Sequence, residues 1–364
     1  MICCSSCFQN TEIIAIITKL GNIGKCPVCG ASESYLYDTE KDSVLEPLFE
    51  DLLSVYTPLD SFPDGTQLIN SRPLAKVLKD DWSIFSEDIS EEIINGFLKD
   101  VAPNISHSLP SLFSENVDIW EKYDDDYLRR HSILHTANWS DFVEAIKHKN
   151  RFHTNLIDTN ILRDYCIEIS HEIVPGKQRY YRGRIAKDNK GYTPKNMGAP
   201  PPENATDGRA NSAGISRLYL TDNRETTFHE IRAAEFDYVT VGTFKLRQPI
   251  KVVNLTNIGN ISPFGESVDC TALAINREHL HRINQEMGRT MRRGDSSLDY
   301  LPTQYICDFV MSILDKDGRP MFDGIQFQSA MHKEGSNLTI FYPEKFECTY
   351  CRTYEITKLN YDYQ

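Results

Sequence analysis

Two groups of residues in this 364-residue chain have the types and spacing to do chemistry. Near the start, Cys4 and Cys7 form one Cys-x-x-Cys pair, and Cys26 and Cys29 form a second. Two tight turns that each present two sulfurs suit the tetrahedral thiolate coordination of a structural zinc ion, and four thiolates leave no open position for catalysis. Gly24 and Gly30 allow the bends such turns need, and Cys3 is an alternative ligand to Cys4 at a poorer spacing from Cys7. A redox dithiol would want one such pair beside a βαβ unit, so we expect a zinc knuckle with Cys4, Cys7, Cys26 and Cys29 as ligands. Cys348 and Cys351 make a third pair with no second pair nearby, and they read as part of a terminal strand. Cys166, Cys270 and Cys307 sit in apolar contexts that suit buried small side chains.

The second group is dispersed over four patches of the C-terminal half. These are Tyr180-Tyr181-Arg182-Gly183-Arg184, then Gly208-Arg209-Ala210-Asn211 with Gly214, then Leu218-Tyr219-Leu220 followed by His229-Glu230-Ile231-Arg232, and last Asp323 through Ser329. Arginines in glycine-flanked loops can capture phosphate oxygens bidentately, because the guanidinium fork matches that geometry and keeps its charge. A tyrosine on a strand can stack on a flat aromatic ring. A glutamate one short helix further on can stabilise a positive ribosyl centre or take a proton from an attacking water, and a later serine can orient it. Breaking an N-glycosidic bond to a cationic leaving group needs electrostatic support more than acid catalysis, so one carboxylate and anchored phosphates form a sufficient kit.

The elements that must position these groups fall into three stretches. Between about Ser43 and Phe152 the apolar spacing is helical: Leu45, Leu48, Phe49, Leu52 and Leu53 share one face. Ser71 before Arg72 and Pro73, Asp88 with Glu91, and Ser140 read as helix N-terminal signals. Beyond Phe152, short β-branched or aromatic runs at 218–220, 238–244, 251–255, 325–327 and 338–341 read as strands, with helical stretches at 226–234 and 303–314. Strands and helices mixed without βαβ regularity predict an α+β domain. The segment from Lys187 to Gly214, rich in Pro, Gly and Asn, reads as a long binding loop.

A net charge of -13 argues against a protein that wraps duplex nucleic acid, while leaving room for a local basic pocket. A hydrophobic content of 40% and a charged content of 25% are ordinary for a globular chain. No apolar run reaches the roughly 18 residues of a membrane span. Free cysteines at metal spacing fit a reducing compartment, so a cytoplasmic protein is expected.

The ordered set Tyr181-Arg182, Gly208-Arg209-x-Asn211-x-x-Gly214, Leu218-Tyr219-Leu220, Glu230, Leu301-Pro302-Thr303-Gln304 and Asp323-Gly324-Ile325 leading to Ser329 resembles the RES family. The likeness runs over about residues 165–345, and Gly198-Ala199-Pro200-Pro201 resembles that family's longer subgroup. It implies a fold related to ADP-ribosyltransferases, NAD as substrate, and a toxin that depletes NAD by hydrolysis or phosphorolysis. It also implies Arg209, Tyr219, Glu230 and Ser329 as the catalytic set. Tyr181, Arg182, Arg209, Asn211 and Tyr219 would then contact NAD, with Arg182 as a second phosphate anchor. Family toxins are usually compact and paired with an antitoxin, whereas this chain carries about 160 extra N-terminal residues. We therefore expect a zinc knuckle at 1–38, a mainly helical, oligomer-forming domain at 39–160 and a NAD-cleaving domain at 161–364, with an antitoxin or regulatory partner left open.

Two rival readings stand beside this one. A transferase that places ADP-ribose on a macromolecule would use the same residues. Arg130 and His135, in the form Arg-x-x-x-x-His on an expected helix, resemble the signature of HEPN-type ribonucleases. The surrounding Tyr127, Leu128, Ile133 and Leu134 equally fit an ordinary amphipathic helix.

Overall fold

The computed structural model describes residues 1–66, 71–265, 268–289, 296–329, 331–332 and 335–359. The chain forms two compact units: Met1–Thr136 with Gly259–Glu278, and Ala137–Ile258 with His279–Gln364.

In the first unit, β1 (Ile2–Cys4), α1 (Thr11–Leu20), β2 (Ile23–Gly24) and β3 (Ser34–Asp38) build the cysteine-bearing segment around an antiparallel sheet of order β1-β3-β2. The Asn10 side chain accepts the N–H groups of Glu12 and Ile13 to start α1, and Gly21, at φ 76°, ends it in the left-handed conformation glycine favours. Next come α2 (Glu46–Leu53), β4 (Thr57–Pro58), β5 (Arg72–Pro73), α3 (Leu74–Asp80), α4 (Glu91–Val101), α5 (Pro103–Ser108), β6 (Asn116–Asp118) and α6 (Asp125–His131). The expected apolar face of α2 is buried at Phe49, Leu52 and Leu53. Two helix starts differ from the sequence expectation. Pro73, not Ser71, occupies the cap position of α3, and the oxygen of Ser90, not Asp88, accepts the Ile93 N–H at the start of α4.

One aromatic core ties this unit together. Phe8 from the cysteine segment lies 5.5 Å from Phe97 of α4, Phe49 of α2 lies 5.4 Å from Phe97, and Phe264 lies 5.2 Å from Phe49. The cysteine segment and the helices therefore share a core, with no boundary at residue 38. The segment 259–278 joins them through polar contacts as well. Asn276 Oδ1 accepts the Ile133 N–H at 2.7 Å, and the Arg277 guanidinium stacks 4.5 Å from the Trp82 ring.

The second unit opens with α7 (Trp139–Glu144), capped by Asn138 and Asp141 in a reciprocal box rather than by Ser140, and with α8 (Thr159–Glu168). Then follow β7 (Ser170–Ile173), β8 (Tyr180–Ala186), β9 (Leu218–Thr221), α9 (Arg224–Glu230), β10 (Tyr238–Leu246), β11 (Ile250–Asn254), α10 (Cys270–Gly288, of which the part up to Glu278 belongs to the first unit), α11 (Leu301–Ser312), β12 (Gly324–Gln328), β13 (Ser336–Ile340) and β14 (Phe346–Glu355). Among the described residues the strands form one mixed sheet of eight, in the order β14-β10-β8-β9-β13-β12-β11-β7, with β11 and β12 parallel and the other pairs antiparallel. The expected α+β class holds. Side chains alternate between the faces. Leu218, Leu220, Leu338 and Ile340 pack in one cluster, while Val239 and Val241 of β10 pack with Ile231 and Phe228 in another. The central junction is weak: β8 and β9 share a single paired position, Tyr181 with Thr221. No helix among the described residues is long and apolar enough to cross a membrane.

Candidate active site and metal centre

The weak junction between β8 and β9 is where the second unit opens. A cavity of about 620 Å³ is lined by Arg182 of β8, Arg209, Tyr219 of β9 and Glu230 of α9, with Tyr300 and Phe327 among its aromatic walls. That volume lies in the range of about 300–1,000 Å³ usual for small-molecule sites. Residues from four separate sequence patches thus meet on one cavity.

Glu230 is the last residue of α9 and is half-buried. Its Oε1 accepts two hydrogen bonds, from Ser329 Oγ at 2.6 Å and from Asn337 Nδ2 at 2.8 Å. Ser329 is itself fixed, because its oxygen accepts the backbone N–H groups of Met331 and His332 at 3.3 and 3.2 Å. Both holding bonds use one carboxylate oxygen, so Oε2 has no hydrogen-bond partner among the described residues and is the oxygen available to a ligand. Ser329 does not line the cavity; it acts on Glu230 from behind. His229, next to Glu230, stacks on His332 with ring centroids 5.4 Å apart.

Arg209 projects from a tight turn whose ends, Gly208 and Asn211, bridge each other. Its Nη1 donates to the Met287 carbonyl at 2.9 Å, leaving the rest of the fork toward the cavity. Burial pulls its guanidinium below the usual arginine range, while the nearby Glu230 charge acts in the opposite direction. Tyr219 braces this turn from below. Its hydroxyl donates to Asn211 Oδ1 at 2.6 Å and accepts the Ala210 N–H at 3.1 Å, and burial pushes the phenol pKa up. A methyl group at Gly208 would sit 2.8 Å from both the Tyr219 hydroxyl and Asn211 Oδ1, so this position has no room for a side chain. Asn211, 4% exposed, spends its amide on the carbonyls of Thr206 and Ser212. It shapes the turn and does not line the cavity.

The two residues of the first patch part company. Arg182 lines the cavity, but its Nη1 donates to the carbonyls of Met197 and Gly198, and burial followed by the neighbouring Arg184 lowers its pKa to about 10. Tyr181 lies against the apolar cluster with Val239 and Val241 and is absent from the cavity wall. Neighbours along β8 face opposite ways, so Tyr181 and Arg182 lie on different faces of the sheet, and Gly183 between the two cations lines the cavity with Arg182.

Two further residues hold the site together: Asn337 was not singled out from the sequence, and Gln304 was named there only within the Leu301-Pro302-Thr303-Gln304 run, with no role of its own. Asn337 is 6% exposed in the strand Ser336–Ile340, whose Ser-Asn-Leu-Thr-Ile sequence carries two other buried polar residues, so nothing local marks it out. Gln304 of α11, 3% exposed, donates to the carbonyls of Gly208 and Asn211 at 2.8 and 2.9 Å and accepts from Ser212 Oγ at 3.0 Å. It holds the carbonyls of the Arg209 turn, while Tyr219 holds the Ala210 N–H and the Asn211 side chain.

In the first unit, the sulfurs of Cys4, Cys7, Cys26 and Cys29 all lie within 4.8 Å of one another. The separations Cys4–Cys29, Cys7–Cys26 and Cys4–Cys7 are 3.5, 3.7 and 3.9 Å. A tetrahedral zinc with bonds of about 2.3 Å sets its sulfurs about 3.8 Å apart, so the donor set fits that ion. Burial works against the Cys26 thiolate, yet backbone hydrogen bonds from Cys29 and Val28 bring its pKa down. Cys3, though buried, stands outside the cluster.

Arg130 and His135 do not share a helix. α6 ends at His131, and His135 lies beyond it at φ 52° with its Nδ1 against the Arg129 carbonyl at 3.0 Å. Arg130 Nε is taken by the Asp126 carbonyl at 3.0 Å. The expectation of one continuous helix fails because the chain turns extended at Ser132, whose hydroxyl accepts the Leu134 N–H.

No curated protein and no solved structure matches the chain. One family model does match, that of the RES domain, over residues 182–362. This span includes Arg182, Arg209, Tyr219, Glu230 and Ser329, and the match supports assigning this C-terminal segment to the RES family.

Proposed function

We propose that the second unit cleaves the nicotinamide–ribose bond of NAD, by hydrolysis or phosphorolysis, and that the protein acts as a toxin or defence effector. The observation that carries this reading is the Glu230 carboxylate, fastened through Oε1 by Ser329 and Asn337 beside a cavity that also holds Arg209, Arg182 and Tyr219. The RES-domain match supports it, because the resemblance to that family implies NAD as the substrate.

In this mechanism the free part of the Arg209 fork holds the pyrophosphate, with the remaining N–H groups of Arg182 beside it. The Tyr219 ring, rigid because its hydroxyl is engaged twice, packs against the nicotinamide. Nicotinamide leaves as a neutral base with the electron pair of the broken C–N bond, so its departure needs no proton. The positive charge passes to the ribose, where Glu230 Oε2 stabilises it. A water or phosphate oxygen then bonds to the same carbon; with water, the released proton passes to Glu230 or to solvent. Zinc held by Cys4, Cys7, Cys26 and Cys29 would supply a structural crosslink in the first unit.

The test is to incubate the purified full chain with NAD, with and without phosphate, and identify products by mass. Free nicotinamide with ADP-ribose, or with its phosphorylated form, is expected. Intact NAD in both conditions overturns the reading, and label transferred to protein or RNA replaces it with the transferase. Glu230→Gln should keep the fold and lose nicotinamide release by about 10²–10⁴-fold. Wild-type turnover by that variant would remove Glu230 from the mechanism.

A further inference from the structure

Beside the Arg182 arm of the cavity lies a pair of thiols that the proposed reaction does not use. Cys348 and Cys351 stand three positions apart on β14, a spacing that in a regular strand puts side chains on opposite faces. Here the register slips: Thr243 of β10 pairs with Tyr350, and Phe244 pairs with Cys348, so Thr349 is an extra residue. This bulge turns both thiols to one face and brings their sulfurs to 3.5 Å. Both are half-buried, so a small reagent can reach them.

The pair is wired to the cavity through its neighbours. Arg182 of β8, Gly242 of β10 and Cys351 of β14 form one row across three strands. A methyl group on Gly242 would lie 3.0 Å from Cys348 Sγ and 3.2 Å from Met197 Cβ, so the thiol and Met197 share the space above that glycine. Met197 in turn offers its carbonyl to Arg182 Nη1 at 2.7 Å.

We propose that Cys348 and Cys351 form a thiol–disulfide site, oxidised by low-molecular-weight disulfides, whose state sets the position of Met197 and through it the Arg182 arm of the cavity. The effect on NAD rests on the function proposed above; the thiol chemistry does not. We take Cys348 as the attacking group because its sulfur lies over Gly242, the residue paired with Arg182, while burial raises both thiols. The Cys348 thiolate attacks one sulfur of the oxidant and expels a thiolate. Cys351 then attacks the Cys348 sulfur and expels the second. The protein's two thiols lose two protons and two electrons, and the oxidant becomes two thiols. Closing 3.5 Å to the disulfide length of about 2 Å moves the sulfurs by about 1.5 Å in total, next to Met197.

The sequence makes the site easy to read, because trypsin cutting after Lys345 and Arg352 leaves both cysteines in one peptide, 346–352. The full chain is reduced, exposed to oxidised glutathione, quenched with an alkylating agent and digested. The expected product is that peptide lighter by two hydrogens, whereas Cys351→Ser yields only a glutathione adduct on Cys348. A wild-type peptide that is merely alkylated or glutathionylated overturns the site. For the coupling, oxidised wild type should show altered deuterium uptake around residues 193–198 and a KM for NAD raised about fivefold or more, both reversed by dithiothreitol. Disulfide formation with unchanged uptake overturns the link to Met197. If the protein turns over no NAD at all, the peptide mass and the uptake still decide this proposal.

Discussion

Ser329 Oγ donates to Glu230 Oε1 at 2.6 Å across 99 positions of sequence, and Asn337 Nδ2 meets the same oxygen at 2.8 Å across 107. Two neutral donors on one carboxylate oxygen restrain the group, and its other oxygen has no hydrogen-bond partner among the described residues. Hydrogen bonds to a charged group contribute about 1.5–3 kcal/mol each when buried, enough to hold the carboxylate in one orientation.

Removing either donor should therefore loosen Glu230 without removing it. Ser329→Ala and Asn337→Ala are each expected to lower kcat for nicotinamide release about tenfold or more, with KM little changed. Because both act on one atom, the double variant should lose less than the product of the two single losses. Steady-state kinetics on the three proteins checks this; additive losses would mean that the two side chains act on different groups.

Arg209 is expected to need its fork and not only its charge. Arg209→Lys should reduce kcat/KM for NAD by about ten- to hundredfold, mostly through KM, since an ammonium cannot make the paired contacts. Gln304→Leu, which removes the clamp on the Gly208 and Asn211 carbonyls, should give a similar rise in KM while Arg209 stays intact. Near-wild-type KM for both variants would separate this turn from substrate binding.

The four-cysteine cluster predicts a bound metal that matters to the first unit. Elemental analysis of protein purified without chelator should find zinc, and Cys26→Ser should lose it. Chelation should lower the melting temperature, because binding energy at such a site is folding energy. Metal-free protein with an unchanged melting temperature would mean that the cluster is simply a packed thiol core.

One ion pair gives a pH prediction with a definite sign. The hydrogen bond from Lys147, opposed by partial burial, holds the Asp299 carboxyl below its usual range. A carboxylate lowered on folding adds stability above its ordinary pKa and loses that contribution as pH falls through the folded value. Lys147→Met should thus be less stable than wild type at pH 7, by up to about 1 kcal/mol, and the gap should close in acid. Denaturant melts at several pH values measure it; a gap independent of pH would assign the loss to packing.

The sequence by itself determined what depends on neighbours along the chain. Cys4, Cys7, Cys26 and Cys29 could be read as ligands because each turn presents two sulfurs locally. The strands at Leu218, Tyr238 and Ile325 were legible because alternation and β-branching are local properties, and the order of arginine, tyrosine, glutamate and serine carried the family likeness. What only the tertiary structure decided was which polar groups meet. Asn337 and Gln304 reach the site from 107 and 96 positions away from the groups they hold, and no spacing rule encodes such a distance. Packing placed Tyr181 in the cluster with Val239 and Val241 while Arg182 reached the cavity, and a bulge put Cys348 and Cys351 side by side. The division of the chain was hidden for the same reason: Phe264, Asn276 and Arg277 join the first unit through packing that forms only once distant segments are brought together.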